Sequence, residues 1–202
     1  MSSMSKKITL ARSLPYILLV GGIIGLIASL VLSYDTLKIA SNPTYVPSCS
    51  LNPVLSCGNV IESAEGHSFG IPNPFFGIAA FAVLITVGVS ILAGAKFKRW
   101  FWIGLEVATV LGMAFAYWLL GQSVYHIRAL CPFCLTVDVV VITTFWYVTI
   151  YNLQEGYIKL PSRSVAVSDF IRKHHLDILL AWFIVLIVLI LQHFWYYYGK
   201  YL

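Results

Sequence analysis

Five long apolar segments, separated by polar connections, dominate the pattern of hydrophobic and polar positions along this chain. They run over residues 14–33, 75–95, 100–120, 130–151 and 176–196. A helix needs ~20 consecutive, mostly apolar residues to cross the hydrocarbon core of a bilayer, and each segment has about that length. The pattern therefore predicts an all-α integral membrane protein with five transmembrane helices, whose two ends lie on opposite sides of the membrane.

Composition supports this interpretation, because 59% of the 202 residues are hydrophobic and only 10% are charged. Ten of the 13 lysines and arginines fall on the side of the N-terminus and three on the other side. Since short cytoplasmic connections carry an excess of Lys and Arg, this asymmetry predicts a cytoplasmic N-terminus and accounts for the net charge of +5. The sequence shows no separate basic patch that would indicate nucleic-acid binding.

A Cys-x-x-Cys sequence stands where the fourth apolar segment begins, as Cys131-Pro132-Phe133-Cys134. Pro132 fits the first position of a helix, where its missing N–H costs nothing, so Cys131 is expected at the N-cap and Cys134 one turn later. Residues three apart share a helix face. The free N–H groups and the positive dipole end at that terminus stabilise a thiolate and lower its pKa. The spacing therefore indicates a redox-active pair.

A second pair, Cys49 and Cys57, lies in the long connection over residues 34–73, on the side predicted to be extracytoplasmic. That is the oxidising side of a membrane, and loops of this length usually have a function. Two pairs are what a thiol-disulfide relay needs, because exchange passes through mixed disulfides. The loop is expected to carry one of its cysteines to Cys131. The relay also needs an electron acceptor that dissolves in the bilayer and accepts two electrons, which suggests a quinone.

Two other interpretations of the cysteines stay open. A zinc site made of all four requires thiolates that converge tetrahedrally, and the seven residues between Cys49 and Cys57 are a wide spacing for it, so no metal is expected. Two inert disulfides are common in extracytoplasmic loops, and they would make the protein a membrane scaffold without catalysis. A Cys-x-x-Cys at a helix N-terminus is, however, usually reactive, because the thiol pKa is lowered there.

Four motifs together resemble the vitamin K epoxide reductase family, and specifically its bacterial members. They are Cys49-x7-Cys57, the segment 57–63 with Ser63 six residues after the second cysteine, Asn73-Pro74-Phe75-Phe76-Gly77, and Cys131-Pro132-Phe133-Cys134-Leu135-Thr136. Each motif is weak alone, but their order and spacing make the combination specific. The resemblance implies a single membrane domain over residues 1–202, in which a four-helix bundle surrounds a quinone and a fifth helix lies beside it.

The resemblance also implies roles for individual residues. Cys49 exchanges with a soluble, DsbA-like thioredoxin-fold protein, and Cys57 then attacks Cys131. The freed Cys134 reduces a quinone, either ubiquinone or menaquinone, drawn from the membrane pool. The quinone site is implied to contain Asn73, Phe76 and Ser63. Asp138 lies four residues after Cys134 on the same helix face, and it is expected either to contact the quinone or to form a structural bond with another helix. Asp138 stands where animal members have a tyrosine, so vitamin K epoxide is a less expected natural substrate.

These features predict a quinone-dependent thiol oxidoreductase of the bacterial inner membrane, with its active site on the periplasmic side. It is expected to reoxidise the soluble partner and so to support disulfide formation in exported proteins. Many bacterial relatives carry a fused thioredoxin-like domain after the fifth helix, whereas this chain ends there, which implies a separate partner. Reduction of vitamin K epoxide or of quinone for its own sake is the alternative enzymatic function.

Overall fold

The fold is a set of α-helices, seen in a computed structural model that describes residues 2–68, 70–158 and 165–199. In chain order the helices are α1 (Ser2–Ser41), α2 (Cys57–Glu62), α3 (Asn73–Leu92), α4 (Arg99–Gln122), α5 (Pro132–Gln154), α6 (Val165–Lys173), α7 (His175–His193) and α8 (Trp195–Tyr198). A 3₁₀ turn follows α2 and a π turn follows α4. Five helices, α1, α3, α4, α5 and α7, are long and apolar enough to cross a membrane, which confirms the predicted fold class.

Four of the long helices form a bundle. Helix α1 packs against α3 and α5, and α5 also packs against α4. Helix α7 lies beside this bundle, where Leu179 is buried and the ring of Trp182 meets the ring of Trp146 edge to face. The rest of α7 is largely exposed and apolar. Such a surface is suited to lipid tails, which are as apolar as a leucine side chain.

Small residues allow α1 and α3 to approach closely. A Cβ atom added at Gly22 would lie 3.2 Å from the carbonyl oxygen of Phe81. A Cβ atom added at Gly88 would lie 2.9 Å from both the carbonyl oxygen of Pro15 and the amide nitrogen of Leu19. Because these neighbours are main-chain atoms, they cannot rotate away. Helices α1 and α3 therefore pack through small residues, as is typical of membrane helices.

We expect Gly88→Ala to destabilise the protein, because the new methyl group would push α1 away from α3. Overpacking of this kind costs about 1–3 kcal/mol, and the unfolding midpoint of the purified protein in detergent should fall accordingly. Gly104→Ala in α4 is the matched control, since its Cβ would meet no atom of the described residues within 4 Å. Alanine favours a helix over glycine, so this control should leave the midpoint unchanged or raise it. An equal midpoint for both variants would contradict the close approach.

Helix α1 is longer than the sequence predicts. The connection predicted over residues 34–73 begins only after Ser41. The apolar pattern breaks at Asp35 and Thr36 because both are polar. The helix nevertheless continues, and both polar side chains are paired: Thr36 Oγ1 donates a hydrogen bond to the Leu32 carbonyl (2.7 Å), and Asp35 accepts one from Tyr45 (2.9 Å). The two extra turns hold buried polar groups against the loop that carries the first cysteine pair.

Candidate functional site

A short backbone bridge brings the two cysteine pairs together. The amide of Leu130 donates a hydrogen bond to the Val54 carbonyl (2.6 Å), and the amide of Ser56 donates one to the Leu130 carbonyl (2.9 Å). Cys57 comes directly after Ser56, and Cys131 comes directly after Leu130. The bridge is parallel and isolated from any strand. It aligns the loop with the start of α5, so that a cysteine of each pair lies beside the other.

The four sulfurs form a continuous path. Cys49 and Cys57 are joined by a disulfide, and Cys131 and Cys134 are free thiols. The Sγ atoms of Cys57 and Cys131 lie 3.3 Å apart, and both side chains are buried, with exposed fractions of 0% and 2%. The loop movement expected from the sequence is therefore not needed to bring Cys57 to Cys131. The loop pair is oxidised and the helix pair is reduced.

Cys131 occupies the N-cap of α5 and Pro132 its first turn, which confirms the predicted helix start. The Sγ atom of Cys131 accepts a hydrogen bond from the amide of Cys134 (3.3 Å). A hydrogen bond from the Cys134 thiol, assisted by the amides of Cys134 and Phe133, lowers the pKa of the Cys131 thiol, although burial acts in the opposite direction. This environment favours a thiolate at the sulfur that contacts Cys57.

An apolar cavity of about 480 Å³ opens beside the helix pair. It lies among α1, α3, α4 and α5, and α2 covers part of it. Cys131, Cys134 and all four residues of the predicted quinone site line its wall, namely Ser63, Asn73, Phe76 and Asp138. Ligand cavities of ~300–1,000 Å³ with mostly apolar walls and a few polar groups suit small aromatic molecules. The described residues therefore fit a quinone head group in size and polarity.

Asn73 lines the cavity, but its amide group is engaged by the protein itself. Its Nδ2 atom donates to the Glu65 carbonyl (2.7 Å) and to Ser68 Oγ (3.3 Å), and its Oδ1 atom accepts from the Ser68 amide (3.2 Å). Ser63 caps the 3₁₀ turn in the same segment. Both residues thus fold the loop over the cavity. A hydrogen bond from Asn73 to a quinone requires exchange of one of these bonds, and that role stays a prediction.

Asp138 lies one turn beyond Cys134 on the wall of α5 that faces the cavity. Residues four apart share a helix face, which explains why both line the same space. Within the part of the chain that the structure describes, the carboxyl group of Asp138 has no hydrogen-bond or ion-pair partner. An ionisable group within a membrane-spanning helix is energetically unfavourable, so its presence there usually indicates a function. Asp138 is therefore a candidate for contact with a molecule in the cavity.

Asp35 is a site residue that the sequence pattern did not indicate. Its Oδ1 atom accepts a hydrogen bond from the Tyr45 hydroxyl (2.9 Å), and its Oδ2 atom lies 3.9 Å from Cys49 Sγ. The hydrogen bond to Asp35 raises the pKa of Tyr45. An acidic residue at the end of an apolar segment was the available signal, but Asp35 and Cys49 are 14 positions apart in the sequence, and no local pattern indicates their contact.

Comparison with known proteins relates this geometry to one family. The family model described as Vitamin K epoxide reductase family matches residues 16–149. The matched stretch is more than half of the chain and contains both cysteine pairs, the bridge between them and the residues that line the cavity. A search of curated proteins finds no match.

Proposed function

Because the chain belongs to the vitamin K epoxide reductase family, we propose that it oxidises a soluble dithiol protein outside the cytoplasm and passes the electrons to a quinone. Family membership and five apolar helices make it a multi-pass membrane oxidoreductase of disulfide chemistry. The class of partner, the quinone acceptor and the location of the active site outside the cytoplasm are what we add in this proposal. The observation that carries it is the 3.3 Å contact between Cys57 Sγ and Cys131 Sγ.

The proposed relay is a series of thiol-disulfide exchanges. A thiolate of the partner attacks Cys49 Sγ, the Cys49–Cys57 bond breaks, and Cys57 leaves with the electron pair. The Cys57 thiolate then attacks Cys131 Sγ of an oxidised helix pair, and Cys134 leaves as a thiolate. The second thiol of the partner releases Cys49 from its mixed disulfide, and Cys49 then attacks Cys57, so that Cys131 leaves as a thiolate and the Cys49–Cys57 disulfide forms again. Cys49 has an exposed fraction of 7% and Cys57 of 0%, which supports Cys49 as the cysteine that meets the partner.

The cavity supports a quinone as the final acceptor. When bound, a quinone supplies a two-electron, two-proton sink that is soluble in the bilayer. Cys134 lines the cavity and brings its thiol to the wall, while Phe76 contributes an apolar surface. Asp138 would hold an oxygen of the ring by donating a hydrogen bond, and it would supply a proton when protonated. Side chains of this kind around an apolar space are typical of small-molecule sites.

The proposed orientation rests on charge. Lysines and arginines concentrate on the side of the N-terminus, and such an excess marks cytoplasmic connections. The two cysteine pairs then lie at the opposite, extracytoplasmic face, where disulfides form and persist. A thioredoxin-fold partner of the DsbA type is the class of soluble dithiol protein that works in that compartment. Such a partner would support disulfide formation in exported proteins.

The test is complementation of a bacterium that lacks its own membrane disulfide oxidase. The chain is expressed there, and the redox state of the periplasmic thioredoxin-fold protein is measured by thiol alkylation. Two matched variants replace one pair each by serine, at Cys49 and Cys57 or at Cys131 and Cys134. Membranes from the same cells are assayed for turnover of vitamin K epoxide.

The three candidate functions give different results. Restored oxidation that needs both cysteine pairs supports the proposed function. Epoxide turnover without restored oxidation would replace it with reduction of vitamin K epoxide. Absence of both activities, from a chain shown to be folded in the membrane, would leave a scaffold with a structural disulfide.

A further inference from the structure

Asp35 places a buried carboxyl group beside Cys49. The side chain of Asp35 has an exposed fraction of 3%, and its Oδ2 atom lies 3.9 Å from Cys49 Sγ. A disulfide sulfur carries no proton, so Cys49 cannot donate a hydrogen bond while it is bonded to Cys57. A reduced Cys49 can. Because a buried acceptor oxygen is unfavourable without a donor, the carboxylate favours a Cys49 that is reduced and protonated.

The negative charge of Asp35 acts in the same direction. A carboxylate this close to a sulfur disfavours a second negative charge on that sulfur. We propose that Asp35 holds the proton on Cys49 whenever the loop pair is reduced, and so leaves the negative charge to Cys57, the thiol that contacts Cys131. The inference rests on the proposed function, because it assigns this charge a use in transfer from the partner to the helix pair.

The proton and the electrons balance in this scheme. The first thiolate of the partner attacks Cys49, and Cys57 leaves as a thiolate with the electron pair. The second thiol of the partner then attacks the partner's own sulfur in the mixed disulfide. The partner becomes a disulfide, and Cys49 leaves and takes up the proton of that second thiol. One proton of the partner dithiol therefore stays on Cys49 beside Asp35, and the other goes to solvent.

The same charge distribution directs the partner to Cys49. In thiol-disulfide exchange, the sulfur with the lower thiol pKa is the better leaving group. If Asp35 disfavours a thiolate at Cys49, attack on Cys49 with departure of Cys57 is faster than attack in the opposite sense. The electron pair is thus delivered to the sulfur that lies 3.3 Å from Cys131.

Two other polar or charged side chains of the described residues lie close to Asp35, namely Tyr45 and Lys38. Tyr45 donates its hydroxyl to Asp35 and holds the carboxyl group in place. Lys38 follows Asp35 on α1, but it is exposed and its ammonium lies over the ring of Tyr34, 5.4 Å from the centroid. Among the described residues, the titratable or charged groups with contacts that lead to Cys49 are Asp35, Tyr45, Cys57 and, behind Cys57, Cys131.

The test measures how readily Cys49 loses its proton. A parent variant with serine at Cys57, Cys131 and Cys134 keeps a single thiol, and its alkylation by iodoacetamide is followed against pH by mass spectrometry in detergent. We expect the midpoint to lie above the value of about 8.5 for an ordinary thiol. Asp35→Asn should lower it by at least about one pH unit, which makes alkylation about tenfold faster below both midpoints.

Two variants separate charge from structure. Asp35→Glu keeps the carboxylate and should keep the high midpoint. Tyr45→Phe removes the hydrogen bond to Asp35 but not its charge, so this variant should not lower the midpoint. An unchanged midpoint in Asp35→Asn, or a parent midpoint at or below that of an ordinary thiol, would overturn the proposal. If Asp35→Asn does not fold, the parent midpoint decides. The assay contains neither partner nor quinone, so its result is independent of whether complementation succeeds.

Discussion

A protein that retains only Cys57 and Cys131 will form a disulfide between them on mild oxidation. The variant is Cys49→Ala/Cys134→Ala, and the expectation follows from the 3.3 Å that separates the two remaining sulfurs. Peptide mapping by mass spectrometry under non-reducing conditions measures the link. Oxidation of a dithiol by this variant, or by Cys49→Ala alone, should fall at least ~10³-fold, because the covalent step loses the Cys49 sulfur that the dithiol attacks.

The matched control for the Cys57–Cys131 disulfide is a variant that retains Cys57 and Cys134 instead. In Cys49→Ala/Cys131→Ala the bridge still places residue 131 opposite Cys57, and the thiol of Cys134 lies one turn into α5. This variant should stay largely reduced under the conditions that oxidise the first. A dominant link between Cys57 and Cys134 would reverse the order of transfer along the helix pair.

Replacement of Asp138 should impair quinone reduction more than any other substitution of a cavity residue outside the cysteines. Asp138→Asn keeps a hydrogen-bond donor but cannot deliver a proton, so we expect binding to persist and reduction to slow by about 10²-fold, the lower range for loss of a general acid. Asp138→Leu keeps neither property and should lose both. A short-chain ubiquinone analogue in detergent, reduced by dithiothreitol through the protein, provides the measurement.

Thr136→Val in the same turn of α5 is the control for Asp138. Thr136 donates its hydroxyl to the Pro132 carbonyl (3.0 Å) and does not line the cavity. Its loss should leave quinone reduction within about twofold of the parent, because removing one such hydrogen bond costs only ~0.5–1.5 kcal/mol of stability. Normal quinone reduction by a folded Asp138→Leu protein would exclude Asp138 from the site.

The sequence predicts those parts of the fold that depend on local pattern. Apolar length alone identifies the five spanning helices, because a bilayer imposes a minimum length on each. The start of α5 is equally local, since Pro132 fixes the backbone at the first position and Cys131 then caps it. The predicted end of α1 is wrong for the same reason, namely that it was based on local pattern alone. A local pattern stops at the first polar residues, although Asp35 is buried by a loop that follows it.

The geometry of the site depends on contacts between distant parts of the chain. The two bridged segments around Leu55 and Leu130 belong to separate loops, and no spacing in the sequence relates them. The same holds for Asp35 and Cys49, which meet only after the loop folds back on α1. Asn73 illustrates the opposite case, because its position at the cavity follows from the motif, whereas its bonds to Glu65 and Ser68 do not.

The bridge beside the cysteines makes electron transfer sensitive to the length of the chain on either side of it. Its donors and acceptors are main-chain groups, and proline is excluded at Ser56 and Leu130 because each position donates its amide. One extra residue between Leu130 and Cys131 would advance the chain by ~3.3–3.6 Å. That step is as long as the present gap between the sulfurs of Cys57 and Cys131. We therefore expect a single-residue insertion there to separate the two sulfurs and to slow transfer between the pairs.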